Sequence, residues 1–87
     1  MDKLEKHLMR LQRNPKDFTF SELEALLIGL GFKLSTAGGT SGSAVRFKHP
    51  ETNQVIRLHK PHPSPILKQY LVKMVVNELK KGGYFNE

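Results

Sequence analysis

The stretch AVRFKHPETNQVIRLH, residues 44–59, decides the fold. From Ala44 the chain alternates: Val45, Phe47 and His49 fall on one face of an extended segment, and Arg46 and Lys48 on the other. That period of two is the pattern of a half-buried strand. Pro50 to Asn53 supplies turn residues, and Val55 to His59 returns with Ile56 and Leu58 as the inward pair and Val55, Arg57 and His59 opposite. A hairpin with one apolar and one cationic face is expected.

Upstream, Phe32 to Thr36 has the composition of a third short strand, joined to the hairpin by the polar, flexible run Ala37, Gly38, Gly39, Thr40, Ser41, Gly42 and Ser43. Before it, Leu23, Leu26, Leu27 and Leu30 follow the i, i+3, i+4, i+7 spacing of a helix face. Gly31 suits the left-handed residue that stops such a helix. Thr19 with Glu22, or Ser21 with Glu24, can form the reciprocal cap at its start. An earlier amphipathic helix carries Leu4, Leu8 and Leu11 and ends at Asn14 and Pro15. Downstream, the prolines at 61, 63 and 65 end the sheet, because each removes a ladder donor. A last helix is expected with Ser64 as N-cap and Pro65 in its first turn. Its stripe would be Leu67, Tyr70, Leu71, Met74, Val75 and Leu79, closed by Gly82 and Gly83. The order helix, helix, three strands, helix predicts an α+β fold, a three-stranded antiparallel sheet with helices packed on one face and the other face open to a ligand. Leu27 and Leu71 are expected to be buried.

Eighty-seven residues suffice for one core and leave no room for a second active module. A hydrophobic fraction of 38% with a charged fraction of 25% fits a folded domain and argues against a disordered tail. The absence of cysteine excludes disulfides and thiolate metal sites. No apolar run approaches the roughly 18 residues of a membrane span, so a cytoplasmic protein without membrane contact is expected. The net charge of +6 is unevenly spread: residues 1–41 hold six basic and five acidic side chains, residues 42–87 eight and three. The cationic second half suits a polyanionic partner, either nucleic acid or an acidic protein surface.

Candidate chemistry follows from this layout. Gly42 and Ser43 offer backbone amides and a small hydroxyl that can approach a phosphate, but no Gly-Lys-Ser/Thr follows, so the run is not a Walker loop and also suits an ordinary connection. Arg46, Lys48, Arg57, Lys60 and Lys68 form a possible phosphate track across the sheet, the crossover and the start of the last helix. His59 and His62 flank Lys60 and Pro61, where an imidazole can meet a phosphate or move a proton. A metal held at that i, i+3 spacing lacks a nearby carboxylate, so no metal or cofactor is expected. His7 reads as a solvated surface residue, and His49 as one that packs on its turn or hydrogen-bonds to it.

From about Phe20 to Phe85, some three quarters of the chain, these landmarks resemble the HicA family of toxins. They are the leucine-rich helix ending at Gly31 and Phe32, the Gly42-Ser43-x-x-x-Phe47 strand entry, His49-Pro50, Val55 to His59, His62-Pro63, and a last helix from Ile66 to Gly82 and Gly83. The resemblance implies a fold like that of double-stranded RNA-binding domains and a metal-independent endoribonuclease that cleaves messenger RNA. It also implies neutralisation by a HicB-like antitoxin. Residues 1–18 then form an N-terminal helical extension to a domain spanning 19–87. In this family the residue after Gly-Ser is usually a histidine, implied to activate the ribose 2′-hydroxyl; here it is Ala44, whose methyl group can neither take nor give a proton. Three explanations are open: a deliberate change that silences a toxin, a branch in which His59, His62 or Arg46 substitutes, or a natural relative that only binds RNA. A basic protein-interaction module is the rival from another class.

Overall fold

The computed structural model describes residues 3–36, 44–61 and 63–85. Helix α1 (Lys3–Gln12) and helix α2 (Phe20–Gly29) precede strands β1 (Lys33–Thr36), β2 (Ala44–Lys48) and β3 (Val55–His59), and helix α3 (Gln69–Lys81) completes the order. The sheet is antiparallel in the order β1-β2-β3. The expected α+β architecture is therefore the one observed.

Alternation along the strands sets the core. Val45, Phe47, Ile56 and Leu58 are buried and meet Leu23, Leu26 and Leu27 of α2 and Val72, Val75 and Leu79 of α3 in one cluster. Phe18 and Leu11 are also fully buried in it, so residues upstream of α2 share this core. Helix α1 packs on α2 and α3. The Arg10 guanidinium ties it down, reaching Glu22 at 2.7 Å and Asp17 at 2.8 Å while lying 4.9 Å from the centre of the Phe18 ring.

Of the two possible caps on α2, the one formed uses Thr19: its hydroxyl accepts from the Glu22 amide at 3.2 Å, and the Glu22 carboxylate accepts from the Thr19 amide at 3.1 Å. Burial alone would raise the pKa of Glu22, but the Thr19 amide, Arg10 and the Thr19 hydroxyl outweigh it and hold the carboxyl below its ordinary range.

The end of α2 is locked to the hairpin. His49 is buried, its Nε2 lying 3.1 Å from the Leu30 carbonyl and its Nδ1 accepting from the Glu51 amide at 3.2 Å. This pair of contacts selects the tautomer with hydrogen on Nε2, which donates to Leu30. Its ring also meets Phe32 edge-on at 5.1 Å. Gly31 has φ +104°, and a Cβ there would stand 2.7 Å from His49 Nε2. Because His49 is held on both nitrogens, it cannot yield. Gly31→Ala should destabilise the fold by about 1–3 kcal/mol, read as a lower unfolding midpoint in urea.

The last helix departs from expectation. It starts at Gln69, with Lys68 as an N-cap residue that makes no side-chain cap. Ser64 instead accepts from the Ile66 amide at 3.2 Å in a local turn. The segment after it is extended because it pairs with the chain entering α2: Phe20 donates to the Pro65 carbonyl at 2.9 Å, and Leu67 donates to the Phe18 carbonyl at 2.8 Å. Leu67 is buried from this extended position and does not set the phase of the helix. Val72, Val75 and Leu79 set it, Leu71 is only half-buried, and Tyr70 turns outward, 67% exposed.

Candidate functional site

The face of the sheet turned away from the helices is built by strand register. Three cross-strand rows carry its side chains: Lys33, Lys48 and Val55; Ser35, Arg46 and Arg57; Ala44 and His59. Two of these rows set like charges directly opposite one another, Lys33 against Lys48 and Arg46 against Arg57. Such pairs oppose folding, since facing side chains stand about 4.5–5.5 Å apart at Cβ. Among the described residues no strand contains an aspartate or glutamate to offset them, and Glu51 lies in the turn beyond. Arg46 is half-buried, and its Nε has no hydrogen-bond partner among the described residues. The arrangement concentrates donors that can accept an anion.

Ala44 and His59 are cross-strand partners, and with Arg57 they line one shallow depression of about 240 Å³. Ala44 is half-buried and belongs to this hollow, whose lining among the described residues comes from β2 and β3 alone. Beyond the end of β3, a larger groove of about 570 Å³ is lined by Arg57, His59, Lys60 and Lys68 among others. Lys60 reaches back so that its Nζ lies 5.4 Å from the centre of the Phe20 ring. Arg57 and His59 line both hollows, and Arg46, the cross-strand partner of Arg57, lines a separate depression with Lys48, so the expected residues Ala44, Arg46, Lys48, Arg57 and His59 share the outward face while Lys60 and Lys68 lie in the groove at its β3 edge. Gly42, Ser43 and His62 lie outside the described residues. Among the described residues, no group of three or more histidine, aspartate or glutamate side chains could hold a metal ion, and no helix is long and apolar enough to cross a membrane.

In comparison with protein families, the model for the HicA toxin of bacterial toxin-antitoxin systems matches residues 20–83. The chain belongs to the HicA toxin family. The matched span runs from the first residue of α2 to just past α3, so the sheet and both of its covering helices are HicA elements while α1 precedes them. No curated protein and no solved structure matched. Membership assigns the chain to toxin-antitoxin systems and so implies an antitoxin partner.

Two residues of the outward HicA face were absent from the set expected from sequence. Lys33 and Ser35 complete rows with Lys48 and Arg46. Their signal was the alternation of Lys33 and Ser35 around Leu34, readable only once that short segment is taken as a strand in register with β2.

Proposed function

We propose that this HicA-family toxin binds messenger RNA on the outward face of its sheet and in the groove beside β3, with Lys33, Arg46, Lys48 and Arg57 holding phosphates on the face and Lys60 and Lys68 in the groove, and that a HicB-like antitoxin neutralises it. The observation that carries this reading is the pair of like-charge rows, Lys33 with Lys48 and Arg46 with Arg57, on a face without carboxylates in its strands. A fold that retains such pairs against their cost is one whose polyanionic partner relieves them. An acidic protein surface offers the same sign of charge, but its carboxylates are not evenly spaced along a chain as phosphates are.

The cleavage chemistry proposed for the active form needs no metal. A base takes the proton of a ribose 2′-hydroxyl, and the oxygen attacks the adjacent phosphorus. The bond to the 5′-oxygen breaks as that oxygen receives a proton, leaving a cyclic phosphate and a free 5′-hydroxyl. In this chain Ala44 removes the acid/base group from one side of the hollow, and His59, opposite it, is the imidazole that remains beside Arg57. The chain is therefore a competent RNA binder with only residual cleavage, which runs through His59.

Titration with a short single-stranded RNA at several salt concentrations tests the binding. The logarithm of affinity should fall with the logarithm of salt by about 0.7 for each phosphate held. Arg46→Gln with Arg57→Gln should flatten that slope by roughly 1.4, the contribution of two phosphates. The same double variant should unfold at an unchanged or higher midpoint, because it removes a repulsion. Affinity indifferent to salt would overturn the reading.

A further inference from the structure

We infer that the groove beside β3 is a nucleobase subsite, in which Tyr70 stacks on one unpaired base of a single-stranded RNA while Lys60, Lys68 and Arg57 hold the flanking phosphates. The inference rests on the RNA reading above and deepens it by naming the form of RNA the chain accepts.

Tyr70 lies in the first turn of α3, and because Val72, Val75 and Leu79 set the buried face, its ring is turned to solvent, 67% exposed. It forms part of the wall of the 570 Å³ groove, together with Ile66, which is 41% exposed, and the half-buried Leu71. A volume of this size falls within the range of about 300–1,000 Å³ typical of small-ligand sites. The remaining wall includes Arg57, His59, Lys60 and Lys68.

An exposed aromatic ring set among cations is the chemistry that recognises an unstacked base. The ring offers a π-face to any base, and the cations hold the sugar-phosphate chain on either side. A base inside a duplex cannot reach such a ring, since both its faces are already stacked. The groove shares Arg57 and His59 in its lining with the hollow that contains Ala44. A nucleotide seated on Tyr70 would therefore lead its neighbour's ribose-phosphate across the Ala44 and His59 pair. The shape of this path favours RNA over a protein ligand, which needs no alternation of one flat group with one anion.

The test uses the full chain, a single-stranded ribo-oligonucleotide, the same oligonucleotide with abasic positions, and the matching duplex. Tyr70→Leu should weaken single-strand binding by roughly 5- to 150-fold, the range for losing one stacked base. Tyr70→Phe should retain it. The salt slope should stay the same in Tyr70→Leu, because no phosphate contact is removed, and duplex binding should not change. The abasic strand should bind the native chain no better than the intact strand binds Tyr70→Leu. Quenching of tyrosine fluorescence by the intact strand should disappear in Tyr70→Phe only if the quenched ring is Tyr70 rather than Tyr84. Equal affinity of native and Tyr70→Leu chains for single strands, with the salt slope intact, overturns the subsite and leaves the phosphate-binding face standing. Loss of antitoxin binding in Tyr70→Leu with RNA binding unchanged overturns it in favour of a protein contact. Absence of salt-dependent RNA binding in the native chain overturns the parent reading as well.

Discussion

Replacing Ala44 with histidine should raise the rate of RNA cleavage by about 10²–10⁴-fold, the usual contribution of a positioned general acid or base. The site can accept the larger side chain: residue 44 is half-buried and borders an open hollow of about 240 Å³ on the face away from the helices. Its cross-strand partner His59 would then give the hollow two imidazoles, one to take the 2′-proton and one to protonate the leaving 5′-oxygen. RNA affinity should change little, because the cations at Lys33, Arg46, Lys48 and Arg57 are untouched. A discontinuous assay on a labelled oligonucleotide, with the midpoint of thermal unfolding as control, measures the effect. His59→Ala in the native background should abolish the residual cleavage. A folded Ala44→His chain that binds RNA as before but cuts no faster would remove position 44 from the chemistry.

Leu11→Ala should cost about 2–5 kcal/mol, as much as Leu27→Ala, even though only Leu27 lies in the span shared with the family. Both side chains are fully buried in the same cluster, so each truncation removes apolar contact and leaves a cavity. Domains of ordinary stability hold only about 5–15 kcal/mol, so either change should lower the urea midpoint strongly. Single, coincident transitions by fluorescence and circular dichroism in both variants would make α1 part of one cooperative unit. We therefore propose that residues 3–18, though outside the family match, complete the helical side of this core. An unchanged midpoint for Leu11→Ala would return α1 to the status of an appendage.

Alternation along residues 44–48 and 55–59 placed Arg46, Lys48, Arg57 and His59 on the outward face, because the side-chain period of a strand is two wherever the strand lies. The Thr19 and Glu22 box needed only residues three apart. The start of α3 could not be read in the same way. Ser64 followed by Pro65 satisfies every local rule for a helix start, yet the backbone of 65–67 is held extended by hydrogen bonds to Phe18 and Phe20, more than forty residues earlier. That non-local pairing shifted the helix phase and turned Tyr70 out of the core. His49 was legible as a residue tied to its turn, but its bond to the Leu30 carbonyl comes from the approach of α2.

Sequence alone determined the order and type of the elements, the apolar and cationic faces of the sheet, and the methyl group at position 44, because these depend on residue type and on spacing along one segment. Tertiary structure alone decided that Ala44 faces His59, that Arg46 faces Arg57, and that Tyr70 lines a cationic groove. Those relations depend on strand register and on where the crossover binds, and both are set by contacts between segments distant in the chain.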